Sequence, residues 1–133
     1  MSDVIFETPD NPIPERADAG FFVGDRSRKI RYATFSAVGR PLKGTVVILT
    51  GRNECIEKYY ETVRDLSKRG FGVAIFDWRG QGGSQRLRKD PHRGYVERFA
   101  SYVNDVDRFF AEVVLPDCRA PYYVLAHSTG GLA

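Results

Sequence analysis

Cysteine, histidine, methionine and tryptophan are all scarce in this 133-residue sequence, which holds two Cys, two His, one Met and one Trp. Cys55 and Cys118 stand far apart, with neither a CxxC pair nor a Cys/His ligand spacing. That favours two structural free thiols in a reducing compartment over a disulfide framework or a zinc site. Charge of one sign is also lacking: 20 basic against 17 acidic residues leave +3 on a mixed surface, no argument for a nucleic-acid partner. No apolar run approaches the ~18 residues of a membrane span. The first twenty residues, MSDVIFETPDNPIPERADAG, carry acids and three prolines where a signal peptide needs a basic region and an apolar core. The expected location is cytoplasmic, with any membrane contact peripheral to the inner face. No internal repeat is present.

What is there is the usage of a soluble globular domain, 42% hydrophobic and 28% charged. Residues 1–28, rich in Pro, Asp and Gly, read as an irregular N-terminal arm that Phe21 and Phe22 pack onto the domain. Ile30 to Ala37 alternates apolar and polar side chains like a half-buried strand, an early antiparallel one, and Gly39-Arg40-Pro41 breaks it. TVVILT, residues 45–50, is β-branched without polar alternation, the pattern of a central strand covered on both faces. Tyr59, Val63 and Leu66 then mark a helical stripe within 57–69, and Gly70 supplies the left-handed residue that ends helices. A second buried strand, GVAIFD, spans 72–77.

After a Gly-rich turn and a basic loop through His92, residues 97–115 place Phe99, Tyr102, Val103, Val106, Phe109, Phe110, Val113 and Val114 on one helical face. Such a stripe is the core-facing side of a helix, and Pro116 is expected to stop it. Tyr122 to Ala126 reads as a third buried strand. The order strand, helix, strand, helix, strand predicts an α/β fold, a mostly parallel sheet with helices on both faces.

The segment Ala126-His127-Ser128-Thr129-Gly130-Gly131 carries the chemistry. A nucleophile elbow needs a serine on a tight turn between a buried strand and a helix, with small residues two before and two after it because the backbones crowd there. Ala126 stands where the usual pattern has Gly. Ser128 is the candidate nucleophile, and the backbone N–H of Thr129 the first oxyanion donor. His127 points away from such a turn and suits a packed polar residue better than a base. The second donor is expected from the loop Thr50-Gly51-Arg52-Asn53-Glu54. No G-K-S/T follows the glycines of WRGQGGS, so this is not a phosphate-binding loop. The run Arg86 to Arg93 reads as a solvated basic loop, attraction to an anionic head group being its functional alternative.

Taken together, ILTGRNE, KYYETVRDLSKRGFGVAIFDWRGQGGS and YYVLAHSTGG resemble, in order and spacing from Val46 to Gly131, the lysophospholipase and monoacylglycerol-lipase group of α/β hydrolases, often grouped with the serine aminopeptidase family. The resemblance implies that residues 29–133 are the N-terminal part of one α/β-hydrolase domain, incomplete after the nucleophile elbow. In that family a His-Gly pair ends the oxyanion strand and the next residue donates its N–H. Here the pair is Thr50-Gly51, so the donor is Arg52, and a backbone donor does not depend on its side chain. The D-x-R-G-x-G-x-S turn starting at Asp77 is read as scaffold, with Asp77 and Arg79 locking the loop.

The resemblance further implies a serine hydrolase of carboxylic esters, with a small lipid or ester substrate such as a lysophospholipid or monoacylglycerol, and with no metal or organic cofactor. A triad on this fold runs Ser, Asp or Glu, then His. His92 and His127 both precede Ser128, so the acid and base are expected beyond Ala133, and the 133 residues alone are expected to be inactive and marginally stable, with an exposed apolar sheet edge. A peptidase or acyltransferase of the same fold, or a non-catalytic remnant acting as a binding module, are the alternatives.

Overall fold

The computed structural model describes residues 4–24, 29–50, 54–77 and 103–126. Along the chain these form β1 (Ala17–Val23), β2 (Lys29–Phe35), β3 (Gly44–Leu49), a 3-10 turn (Ile56–Tyr59) running into α1 (Tyr60–Lys68), β4 (Phe71–Phe76), a helix α2 over 103–117, and β5 (Tyr122–Ala126). The strands make one mixed sheet in the order β1-β2-β4-β3-β5. β1 pairs with β2 and β2 with β4 antiparallel, whereas β4, β3 and β5 run parallel.

The β-branched residues of β3 place it at the centre, where all six of its residues are buried. Side chains alternate across a strand, so each inner strand feeds two cores. Val46 and Ile48, with Val73 and Ile75 of β4 and Ala33 and Phe35 of β2, pack under Ile56, Tyr60 and Val63. Val47 and Leu49, with Ala74, Phe76 and Ile30, pack under Phe109, Val113 and Val114 of α2. Phe109 anchors this second core, its ring centroid 4.8 Å from that of Phe76 and 5.4 Å from that of Phe22. Helices therefore cover both faces of the sheet, as the alternation of elements implies.

Four local expectations are corrected. The strand β1 lies within the span expected to be irregular; alternation buries Phe22 and leaves Phe21 outside under the Lys29 ammonium, and pairing with β2 supplies its backbone partners. β2 is covered on both faces, so Arg31, a polar position of the presumed half-buried strand, is buried. The buried stripe leading into α1 runs through Ile56, Tyr60, Val63 and Ser67, with Tyr59 and Leu66 only partly covered. Ser67 is tolerated there because its Oγ accepts the Val38 N–H at 3.0 Å. α2 continues past Pro116 to Asp117: the turn Phe110–Val114 is π-helical, with the Leu115 N–H bonded to the Phe110 carbonyl. That wider turn makes room for a proline ring that would collide with an ordinary helical turn.

β5 forms where expected, but it is an edge strand. It pairs with β3 alone among the described residues, and Tyr123, Val124 and Leu125 are 49%, 58% and 44% exposed. Its apolar composition is that of a buried strand, whereas its burial depends on what lies beside it.

Gly70 closes α1 with φ +99°, and a Cβ there would sit 2.1 Å from the Pro41 carbonyl oxygen. Both the left-handed backbone and the close approach require glycine. Gly70→Ala is expected to lower unfolding free energy by more than about 1 kcal/mol, read as a drop in the urea midpoint at unchanged slope.

Candidate active site

Three parallel strands end side by side. Leu49, the last residue of β3, pairs with Phe76 of β4 on one side and with Ala126 of β5 on the other. The next residues along each strand direction open the Thr50-Gly51-Arg52 loop, the Asp77-Trp78-Arg79 turn and the His127-Ser128-Thr129 segment. The carboxyl ends of adjacent parallel strands, about 5 Å apart, are where open α/β sheets gather functional loops. Ser128, Thr129 and Arg52, together with His127, His92 and Arg79, lie outside the described residues. The structure brings together the strand ends Thr50, Asp77 and Ala126, from which those residues continue.

Beneath these ends lies a charged group that reading the sequence missed. The guanidinium of Arg31 is buried on the α1 face of β2. Its Nε donates to Asp77 Oδ2 at 2.8 Å, Nη1 donates to Glu57 Oε2 at 2.7 Å and to the Val4 carbonyl at 3.0 Å, and Nη2 donates to Glu57 Oε1 at 2.7 Å. Nη2 also stands 2.7 Å from Asp77 Oδ2. One planar cation thus grips two carboxylates in fork geometry, which a lysine cannot do.

Asp77 in turn accepts the Ile56 N–H on Oδ1 at 2.9 Å, and its own N–H donates to the Arg31 carbonyl at 3.0 Å. Glu57 accepts the Phe6 N–H at 3.0 Å, Tyr60 donates to the Phe6 carbonyl at 2.7 Å, and the Asn11 amide donates to the Glu57 carbonyl at 2.9 Å. The N-terminal segment is strapped over the arginine. Among the described residues Asp77 is paired with Arg31, while Arg79, with which it was expected to lock the loop, lies outside them. The available signal was the strand period, since Arg31 shares a face with Ala33 and Phe35, so a charge there requires an anion inside.

Burial disfavours the Arg31 cation, but Glu57 and Asp77 outweigh it and hold its pKa above the ordinary arginine value. Burial likewise opposes the Glu57 carboxylate, yet the Arg31 hydrogen bonds and charge pull its pKa below the ordinary 4.5. Burial first, then the neighbouring acids, pushes the Cys55 thiol up, so the cysteine beside this cluster is no activated thiolate. Cys118, pushed up to about 11 by burial and Asp117, is inert for the same reason. Tyr59 and Lys58 both bond the nearly buried Glu54, the lysine at 2.8 Å. Among the described residues no group of three His, Cys, Asp or Glu side chains is placed to hold a metal ion. A cleft of about 260 Å³ lined by Arg16, Thr45, Gly72 and Arg119 lies at the opposite edge of the sheet, where β3 and β4 begin, away from the motif loops.

Because the folded pKa of Glu57 is depressed, its charge stabilises the fold above the unfolded-state value near 4.5, and that stability is lost as pH falls through the lower folded value. Glu57→Gln is therefore expected to cost about 1.5–3 kcal/mol at pH 7, and the urea midpoints of the two proteins are expected to converge as pH falls from above 4.5 through the lowered folded pKa.

The sequence matches the family model described as serine aminopeptidase, S33, over residues 40–133. It is 43% identical over 114 residues to lysophospholipase L2 of Escherichia coli K12, covering 86% of this chain and 33% of that protein. It is 30% identical over 121 residues to the probable lysophospholipase L2 of Haemophilus influenzae, covering 91% of this chain and 38% of the relative. The chain thus spans about a third of the length of these relatives. Among solved structures it resembles the epoxide hydrolase VrEH1 of Vigna radiata, with TM-score 0.66 and 18% identity over 89% of this chain and 32% of that one. It also resembles a soluble variant of monoglyceride lipase from Saccharomyces cerevisiae bound to a substrate analogue, with TM-score 0.65 and 22% identity over 86% of this chain and 35% of the other. Likeness at such identity speaks for the fold, and the family match for descent: the chain belongs to the serine aminopeptidase S33 family of α/β-hydrolases.

Proposed function

We propose that this chain is the nucleophile-bearing part of a serine hydrolase that cleaves the carboxylic ester of lysophospholipids or monoacylglycerols. The observation that carries the reading is the shared register of Leu49 with Phe76 and Ala126, which sets the strand ends preceding Arg52 and Ser128 next to each other. In this mechanism the Ser128 hydroxyl attacks the acyl carbonyl and forms an acyl-enzyme while the alcohol leaves. The backbone N–H groups of Arg52 and Thr129 hold the oxyanion, one from the loop after β3 and one from the residue after the nucleophile. Water then releases the acid.

The base and its orienting acid would be contributed by residues beyond Ala133. The fold's chain order asks for them after Ser128, and the named lysophospholipases are about three times as long as the matched segment. The 133 residues alone would accordingly be inert. The lipid substrate is supported by those lysophospholipases and by the monoglyceride lipase, and the basic run Arg86 to Arg93 would favour peripheral contact with an anionic lipid surface from the cytoplasmic side. No helix among the described residues is long and apolar enough to cross a membrane. The description of the matching family favours a second reading, aminopeptidase activity by the same serine machinery.

A fluorophosphonate probe reports an activated serine without assuming a substrate. It is expected to label a chain extended to the length of the relatives and not the 133 residues alone, and Ser128→Ala should abolish the labelling. Turnover of lysophospholipid and monoacylglycerol but not of aminoacyl amides by the extended chain decides between the two readings. A folded, extended chain that stays unlabelled would show that Ser128 is no activated nucleophile.

A further inference from the structure

We infer that Asp77 is a positioning residue for the oxyanion loop, acting through the Ile56 N–H and held in place by Arg31. This rests on the serine-hydrolase reading and assigns a task to the first residue of the D-x-R-G-x-G-x-S turn.

The loop that would supply the Arg52 donor leaves β3 at Thr50 and returns at Glu54. Its outgoing end is fixed by β3, whose last residue pairs on both sides and whose follower Thr50 is fully buried. Its returning end has no strand to hold it. Cys55 is extended, with φ −138° and ψ 169°, and the first residue of the 3-10 turn, Ile56, gives its N–H to Asp77 Oδ1. That N–H is one of the donors a helical start leaves without a partner in its own turn. Asp77 therefore ties the return of the loop to the end of β4, the strand next to β3.

A single carboxylate on a flexible side chain would fix this poorly. Asp77 is immobilised because its other oxygen takes the Nε of Arg31, while its backbone N–H bonds to the Arg31 carbonyl. Arg31 is itself clamped by Glu57, one residue after Ile56, so the same turn is held twice, through its backbone and through its side chain. The strap Val4 to Phe6 closes the group, with the Val4 carbonyl on Nη1 and the Phe6 N–H on Glu57. An oxyanion donor works only when preorganised within a fraction of an ångström, and this cluster ties the turn at the returning end of the loop to β2 and to β4, the strand that pairs with β3 at its outgoing end. None of its side chains is asked to touch substrate.

The test uses the extended, probe-reactive enzyme. Asp77→Asn keeps the shape and weakens both acceptor roles. Ile56→Pro removes only the donated N–H and the isoleucine side chain; proline is tolerated at a first helical position, and an extended Cys55 suits the residue before it. Should Asp77→Asn fail to accumulate as folded protein, Ile56→Pro, which leaves the Arg31 pair intact, carries the test. Val63→Ala, in the same core, serves as a comparator that lowers the melting midpoint without touching the loop.

Expected is a fall of about 10- to 100-fold in kcat and in the maximal fluorophosphonate rate, with KM within about threefold. Val63→Ala should keep wild-type kcat at temperatures where it is folded. Folded Asp77→Asn or Ile56→Pro with kcat within about threefold of wild type overturns the positioning role alone, as does an equal fall in Val63→Ala. Undiminished labelling of Ser128→Ala overturns the serine reading, and this proposal with it.

Discussion

The guanidinium of Arg31 is the charge around which this half of the fold is organised. Taking a cation out of water costs several kcal/mol, and it is stable inside only where acceptors meet its donors. Glu57 and Asp77 meet that condition from the turn before α1 and from the end of β4, and Val4 from the N-terminal strap. Removing Arg31 would leave two carboxylates facing each other, and removing either carboxylate would take an acceptor from the guanidinium N–H groups. The cluster therefore couples four parts of the chain that are far apart in sequence, and its worth lies in fixing their relative positions more than in net stability.

Placed next to this group, the parallel core explains why the strand ends Thr50, Asp77 and Ala126 meet where they do. β3 is apolar on both faces and so must lie between two other strands and two helices. Its neighbours β4 and β5 run in the same direction, so all three end on one edge, each followed by one of the glycine-bearing motifs. The opposite edge carries the connections around Gly44 and Gly70, where backbones approach too closely for any side chain. One end of the sheet is given over to tight structural turns, and from the other the glycine-bearing motifs continue.

Much of this was legible in the residues. The β-branched run at 45–50, the strand at 72–77 and the glycine at 70 specify their local conformations almost unaided. Where local reading missed, the cause was each time a neighbour. Arg31 looked like a solvent-facing position because its counter-charges lie 26 and 46 residues away. Tyr59 and Leu66 looked like the centre of the α1 stripe, but the preceding 3-10 turn rotates the helix so that Tyr60 and Ser67 face inward. Pro116 looked like a stop, yet a π turn lets the helix carry it.

By itself the sequence determined the alternation of strands and helices and the strand ends, Thr50, Asp77 and Ala126, from which the glycine-bearing motifs continue. These follow from side-chain period, β-branching and glycine, which act within a few residues. Only the tertiary structure decided that β4 inserts between β2 and β3, that both faces of β2 are covered, and that Asp77 answers to Arg31. It also placed the expected exposed apolar edge at β5. Pairing and burial belong to two segments at once, and no single segment carries the identity of its partner.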